Sequence, residues 1–162
     1  MLFDDTYNEI DTKASSIYKE KGSKFIAYAF CVYNNYDITQ NIEKIKKKEP
    51  SASHYCYAYV LHPDKSVYRM NDDGEPSSTA GRQIFKEIQK LELTNILIIV
   101  VRYFGGTKLG IPGLIRAYKT SSSLVLQSVT IVKKNIQEKY TLQFDHEQMN
   151  NVMRIIKEHN NG

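Results

Sequence analysis

The amino-acid sequence predicts an α+β fold, in which β-strands and amphipathic helices occur along one chain. Residues 14–19 and 25–33 have strand-like composition on either side of a glycine-containing turn, which predicts a β-hairpin. Residues 96–101 form an unbroken and largely β-branched apolar run, which indicates a buried strand. Residues 79–91 carry apolar side chains at helical spacing, which indicates a helix with one buried face.

Between the hairpin and the helix at residues 79–91, helix-capping residues predict one helix and alternating side chains predict two strands. Asp37 is predicted to cap a helix, with Gln40 as its capping-box partner, and Pro50 ends that helix. Residues 53–61 alternate between two faces, as a strand does, and residues 66–70 are predicted to pair with them.

The C-terminal part contains one long helix and then a change in composition. Residues 112–127 are predicted as a helix that begins at a proline. Residues 129–137 and 139–144 are predicted as two strands or as one long linker strand. Residues 146–157 are predicted as a second helix. A strand and a helix cannot bury a core alone, so this last segment either docks on the main domain or begins a further domain. We therefore expect a first domain over residues 1–130 and a partial second one over residues 131–162.

Composition and charge restrict the classes of function. There are 22 Lys and Arg against 18 Asp and Glu, a formal net charge of +4, which permits an RNA or phosphate partner without requiring one. Cys31 and Cys56 lack the spacing of a structural zinc site and are predicted to be buried free thiols in a reducing cytoplasm. The acidic N-terminus does not match a signal peptide, and no apolar run is long enough for a bilayer. We expect a cytoplasmic protein that does not associate with a membrane and that binds neither a metal nor a cofactor.

A glycine-rich loop, residues 105–110, follows the buried strand directly in the motif RYFGGTKLG. The strand, this loop and the helix N-terminus that follows, together with the charges of Arg102 and Lys108 beside the glycines, form a geometry that suits an anionic ligand. The spacing matches neither the phosphate-loop nor the dinucleotide-binding motif, and the glycines can equally serve a tight turn. Of Tyr103 and Phe104, at most one can stack on a base, because adjacent residues of an extended segment point to opposite faces.

The motif DDGEPSSTAGR supplies a second candidate loop, whose Ser and Thr N–H groups are predicted to face the glycine-rich loop across a shared cleft. The predicted ligand-binding residues are Ser78, Thr79, Arg82, Arg102, Gly105, Gly106, Lys108 and Gly110.

The alternative is an enzyme, of hydrolase type, that uses His54 with Asp73 and Glu75. His54 and Cys56 share one face of a strand, so a Cys–His nucleophile is also conceivable. The acidic residues have structural interpretations too: they can build turns, precede a helix N-terminus, or pair Glu75 or Asp73 with Arg102 or Arg82 to fix the two loops together.

The strings KGSKFIAYA, SHYCYAYVL, DDGEPSSTAGR and IIVVRYFGGTKLGIPGLIRAY resemble the YigZ/IMPACT family over about residues 12–127. The resemblance implies a domain similar to the second domain of ribosomal protein S-five, a mostly antiparallel sheet with helices on one face. It also implies a second, ferredoxin-like domain similar to a domain of elongation factor G, of which residues 140–159 match only the first strand and helix.

The resemblance further implies a role in translation. Eukaryotic members of the family regulate translation initiation under amino-acid starvation by binding an activator of a stress kinase, through a preceding domain that this sequence does not contain. We therefore predict a non-enzymatic module that binds RNA, a phosphate-containing ligand or a ribosome-associated protein. A protein-interaction domain in which the glycines are purely structural, and the hydrolase, are the other hypotheses.

Overall fold

The computed structural model describes residues 5–159, which form both strands and helices. The elements of the first half are β1 (Thr6–Ile10), β2 (Ala14–Glu20), β3 (Ser23–Cys31), α1 (Asn35–Lys48), β4 (His54–Leu61) and β5 (Val67–Asn71). The elements of the second half are α2 (Gly81–Lys90), β6 (Ile96–Tyr103), α3 (Gly110–Gln127), β7 (Ile131–Asn135) and, after a 3₁₀ turn at His146–Gln148, α4 (Met149–His159). The expectation about a signal peptide falls partly on residues 1–4, outside the described residues.

Five strands form one sheet in the order β2-β3-β6-β4-β5, and all its neighbours are antiparallel. The predicted hairpin is confirmed as β2–β3, and the predicted partner of β4 is confirmed as β5. The central strand β6 pairs with both hairpins, and its Arg102 lies opposite Phe25 on β3 and His54 on β4. The predicted α+β class and antiparallel sheet are thus confirmed.

Helices cover both faces of this sheet. Phe25, Ala27 and Ala29 of β3 pack into a core with α2 and α3. Their neighbours on β3, such as Tyr28, pack into a second core with Ile38 of α1. The expectation of helices on one face alone is therefore wrong. Strand β3 presents apolar side chains on both faces of the sheet, so helices must bury each face. The same double cover explains the unbroken apolar run of β6, whose residues 96–101 are all buried.

Helix α1 begins before the residue predicted to cap it. Asn34 is the N-cap, and its side chain accepts a hydrogen bond from the backbone N–H of Asp37, 2.9 Å away. The prediction of Asp37 as the cap is wrong, since Asp37 lies in the first helical turn. Its carboxylate instead accepts a hydrogen bond from the N–H of Tyr33, at 2.9 Å, and lies where the helix dipole favours negative charge.

The C-terminal segment returns to the N-terminus of the chain. Strand β7 pairs antiparallel with β1, which the sequence analysis did not predict. Residues 139–144 were predicted as a strand and form none, because no neighbouring strand completes a ladder there. The predicted second helix is confirmed as α4, although it has no buried residues. The division at residue 130 and the ferredoxin-like character of the last segment stay predictions.

Candidate functional site

A buried ion pair joins the two candidate loops. Glu75 Oε1 accepts hydrogen bonds from Arg102 Nη1 at 2.7 Å and from the Tyr118 hydroxyl of α3 at 2.8 Å. The side chains of Arg102 and Glu75 are only 6% and 3% exposed. The predicted pairing of Glu75 with Arg102 is thereby confirmed. Because Glu75 lies in the β5–α2 loop and Arg102 lies at the end of β6, the pair fixes this loop against the strand. Removing either partner would leave an uncompensated buried charge.

Aromatic rings enclose the guanidinium of Arg102. Its central carbon lies 5.6 Å from the ring centroids of both Phe25 and Phe104. Phe25 is fully buried, whereas Phe104 is 52% exposed. The Nε atom of Arg102 is buried and has no hydrogen-bond partner among the described residues. The charge of Arg102 is therefore held in place by Glu75 and by two ring faces.

His54 begins β4 beside this pair and has one nitrogen fixed. Its Nδ1 lies 2.7 Å from the backbone oxygen of Asp73. Its Nε2 lies 3.9 Å from Glu75 Oε2, and a quarter of its side chain is exposed. The Asp73 carboxylate points elsewhere, since it accepts the backbone N–H of Tyr55 at 2.7 Å. His54 and Glu75 thus meet, while Asp73 contributes its backbone.

The acidic loop also caps helix α2. Asp72 Oδ1 accepts hydrogen bonds from the N–H groups of Ala80 and Gly81 at 3.1 and 2.8 Å, and its Oδ2 accepts from Ser78 at 2.9 Å. The N–H of the buried Thr79 donates to Pro76 O at 3.1 Å. The N–H groups assigned to an anion are thus already engaged by the protein itself.

The glycine-rich loop is shaped by close approach to the β2–β3 turn. A Cβ atom on Gly105 would lie 1.9 Å from the carbonyl carbon of Gly22, and its N–H donates to Ser23 Oγ at 3.3 Å. Gly106 and Gly110 have φ values of +84° and +70°, which glycine adopts without strain. Each of these glycines therefore has a structural reason, and the N–H of Gly105 is used internally.

One open cleft of about 420 Å³ collects part of the predicted site. We call it the Arg102 cleft. Its polar lining comes from His54, Glu75, Arg102 and Lys108, and its apolar lining from Pro76, Phe104, Leu109, Ile111 and Leu114, with Gly110 at the start of α3. Ser78, Thr79, Arg82, Gly105 and Gly106 do not line it. The cleft therefore gathers three of the predicted ligand-binding residues with two residues of the alternative enzyme hypothesis.

Sequence reasoning missed Tyr118 and the apolar wall of the cleft. The helical spacing of residues 112–127 places Tyr118 on the same apolar face as Leu114, one turn earlier, and both are buried. The helical spacing that assigned them also directs the Tyr118 hydroxyl toward Glu75, but spacing does not reveal a hydrogen-bond partner. Phe104 was named as a candidate for stacking, and it is the exposed member of its pair, whereas Tyr103 packs against the α1-side core.

Cys56 is a poor nucleophile in this setting. Its side chain is fully buried, and its sulfur lies 3.0 Å from Asp72 O and 3.3 Å from the Tyr118 hydroxyl. Burial raises the pKa of the Cys56 thiol, so the reactive thiolate is disfavoured. Burial also raises the pKa of Tyr118, which stays a hydrogen-bond donor. The geometry argues against a Cys–His pair. Cys31, predicted as buried, is partly exposed, and both cysteines are free.

Residues 5–159 contain neither a candidate metal-binding cluster nor a membrane-spanning helix. No cluster of three or more His, Cys, Asp or Glu side chains able to hold a metal ion occurs among them. None of the helices described within this range is long and apolar enough to cross a membrane.

The chain is similar to a set of known proteins. A family model described as the Impact N-terminal domain matches residues 21–126. The IMPACT family member YvyE of Bacillus subtilis (strain 168) is 40% identical over 114 residues, which are 70% of this chain and 52% of that protein. The IMPACT family member YigZ of Escherichia coli (strain K12) is 33% identical over 117 residues, 71% of this chain and 57% of that protein. The chain thus spans little more than half the length of these relatives.

A solved structure is also similar. The protein described as "Crystal structure of an hypothetical protein" aligns with a TM-score of 0.83 at 27% identity, and the alignment covers 96% of this chain and 77% of that one.

Proposed function

Because the chain belongs to the Impact N-terminal domain family, we propose that it is a non-enzymatic module of translation regulation that binds an anionic group of RNA in the Arg102 cleft. The family resemblance supports the translation role, since its eukaryotic members regulate translation initiation. The cleft supports the binding role. We further propose that the module acts in the cytoplasm, and that the sheet with α2 and α3 on one face is similar to the second domain of ribosomal protein S-five, to which α1 adds a cover on the other face.

The charge of the cleft is the observation that carries the proposal. Glu75 is the one carboxylate that lines it, and Arg102 already compensates that charge. Lys108 is exposed and forms no ion pair with any residue between 5 and 159. The cleft thus has an excess of positive charge at its rim. A flexible ammonium there suits a phosphate as a point charge.

An exposed ring beside the charge favours RNA over a simple phosphate ion. Phe104 is half exposed and lines the cleft together with Lys108. Single-stranded nucleic acids are bound by such pairs, because the ring stacks on a base while the cation contacts the backbone. Gly105 and Gly106 serve this arrangement indirectly, by shaping the loop that carries Lys108.

The test is binding of a fluorescent single-stranded RNA, followed by anisotropy across a salt series. For single strands, the logarithm of the binding constant falls against the logarithm of salt with a slope of about −0.7 per phosphate neutralised. We expect saturable binding by the wild-type protein, and we expect Lys108→Ala to make the slope shallower by about 0.7. Arg102→Ala is unsuitable as the first variant, because Arg102 is buried in an ion pair.

The matched control is Lys86→Ala, which removes the same charge from an exposed position on α2 outside the cleft. It should keep the wild-type slope. Absence of binding by the folded wild-type protein, binding insensitive to salt, or equal losses in Lys86→Ala and Lys108→Ala would each refute the proposal.

The hydrolase hypothesis keeps one specific observation in its favour. His54 lines the cleft with Nε2 turned toward Glu75, 3.9 Å away, and its ring is oriented through Nδ1, as a general base requires. A screen of ester and phosphoester substrates with wild type and His54→Ala separates the two candidates. Turnover that His54→Ala abolishes would favour the enzyme, and its absence favours the binding module.

A further inference from the structure

The two carboxylate oxygens of Glu75 have different surroundings. Oε1 accepts two hydrogen bonds, from Arg102 and Tyr118. Oε2 accepts none from residues 5–159, and His54 Nε2 lies 3.9 Å from it. Glu75 lines the Arg102 cleft. A carboxylate oxygen in this position retains its capacity to accept a hydrogen bond from a ligand.

In the neutral form of His54, the nitrogen that faces Oε2 is also an acceptor. His54 Nδ1 lies 2.7 Å from the carbonyl oxygen of Asp73, which can only accept, so Nδ1 carries the proton. In the neutral imidazole, Nε2 then presents a lone pair. Two acceptors therefore stand 3.9 Å apart at the wall of one cleft. They cannot satisfy each other without a donor between them.

An amino group fits between these two acceptors. A nitrogen about 2.9 Å from both atoms can direct one N–H to each, and each N–H···acceptor angle is then about 150°, which still allows a hydrogen bond. A hydroxyl supplies one proton and satisfies only one acceptor. An alkylammonium brings a positive charge toward Arg102 and Lys108, which disfavours it. Among the groups that an RNA presents, the neutral amino group attached to a base is the one that matches.

We propose that the Arg102 cleft selects RNA bases that carry an exocyclic amino group, and that His54 Nε2 and Glu75 Oε2 receive its two N–H groups. The inference rests on the function proposed above and names the part of the ligand that the site distinguishes. Phe104 stacks on the base, because its exposed ring lines the same cleft. Lys108 contacts the neighbouring phosphate.

The experiment compares two short single-stranded RNA oligomers by fluorescence anisotropy at fixed salt. One contains adenosine, and the other contains purine ribonucleoside, which lacks only the 6-amino group and stacks similarly. We expect the wild-type protein to bind the adenosine oligomer about tenfold more tightly, the effect of one specific base contact. His54→Ala should abolish this preference while retaining salt-dependent binding. Phe104→Ala should weaken binding of both oligomers.

Controls separate this inference from the proposed function. His62→Ala removes a histidine that directly follows the far end of β4 and lies outside the cleft, and it should keep the preference. Far-ultraviolet circular dichroism and urea unfolding establish that each variant is folded. Equal affinity of the wild-type protein for both oligomers overturns the inference and leaves RNA binding intact. A preference that persists in His54→Ala overturns the role of His54, and absence of binding to either oligomer overturns both proposals.

Discussion

The Tyr118 hydroxyl donates a hydrogen bond to Glu75 Oε1 over 2.8 Å and so ties helix α3 to the β5–α2 loop. Both side chains are buried. Tyr118→Phe leaves the ring in place and removes one of the two donors to a buried carboxylate. We expect it to lower the free energy of unfolding by about 1 to 3 kcal/mol, measured by urea denaturation.

The matched control for this prediction is Tyr36→Phe, since Tyr36 is 71% exposed. It should change the free energy of unfolding by no more than about 0.5 kcal/mol. If Tyr118→Phe were as stable as Tyr36→Phe, the hydrogen bond would contribute nothing to the fold.

The contact of Gly105 with Gly22 gives a second prediction. A Cβ on Gly105 would meet the Gly22 carbonyl carbon at 1.9 Å, so the two loops must separate to admit it. Gly105→Ala should cost more than about 3 kcal/mol of unfolding free energy, the range of severe strain. Gly106→Ala is the control, because its Cβ would meet nothing within 4 Å and only its positive φ is strained. It should cost about 1 kcal/mol, and equal costs in both variants would contradict the close approach.

A carboxylate between two tyrosines predicts how stability depends on pH. Glu49 accepts hydrogen bonds from the hydroxyls of Tyr28 at 2.5 Å and Tyr103 at 2.6 Å. Burial alone would raise the pKa of Glu49, but the hydrogen bonds from Tyr103 and Tyr28 outweigh it and lower that pKa below 4.5. The hydrogen bond to Glu49, with burial, raises the pKa of Tyr103 from 10.0 to about 12.

The two shifts act in opposite pH ranges. A lowered carboxyl pKa contributes stability that is present above pH 4.5 and is lost as pH falls through the folded value. A raised tyrosine pKa contributes stability that is present below pH 10.0 and is lost as pH rises toward about 12. Glu49→Gln should therefore cost about 1 to 2 kcal/mol at neutral pH. The cost should shrink at both extremes, and urea denaturation across pH measures it; a cost independent of pH would contradict the assignment.

The pairing of β7 with β1 gives a fourth prediction. The Lys134 ammonium on β7 forms an ion pair with Glu9 on β1, whose side chain is fully buried. Its hydrogen bond to Glu9 raises the pKa of Lys134. Lys134→Ala leaves that buried carboxylate without its cation, so the amides of β1 and β7 should exchange faster with solvent. Lys133→Ala, one residue away and exposed, is the control. Equal exchange in both variants would show that the ion pair does not hold the strands together.

The predictability of each strand depended on whether its signal was local. Strand β6 was predicted because a run buried on both faces is apolar at every position. Strand β1 was missed because its partner lies more than a hundred residues away and because it buries a charged residue, Glu9. Residues 139–144 alternate as a strand does, but alternation alone does not provide a partner.

The candidate site divides in the same way. Arg102 and Lys108 were identified because strand, loop and helix are adjacent in sequence, and the structure brings both to one cleft. The sequence alone suggests that the backbone N–H groups of Ser78 and Thr79 are free to bind a ligand. In the folded chain these N–H groups donate hydrogen bonds to Asp72 and Pro76. Such internal competition for donors depends on tertiary geometry, and no spacing rule describes it. The apolar residues on both faces of β3 already indicate that each face is covered, and the sequence analysis overlooked this signal.

The position of β6 in the sheet has a consequence for synthesis of the chain. The hairpins β2–β3 and β4–β5 are complete by Asn71, but the strand that joins them extends over Ile96–Tyr103. Until those residues leave the ribosome, β3 and β4 each present an unpaired apolar edge. Such edges bind other extended chains, so the nascent protein is most prone to aggregation just before its central strand emerges. A pause in translation before Tyr103 has left the ribosome prolongs that exposure, whereas a pause after β6 has emerged does not.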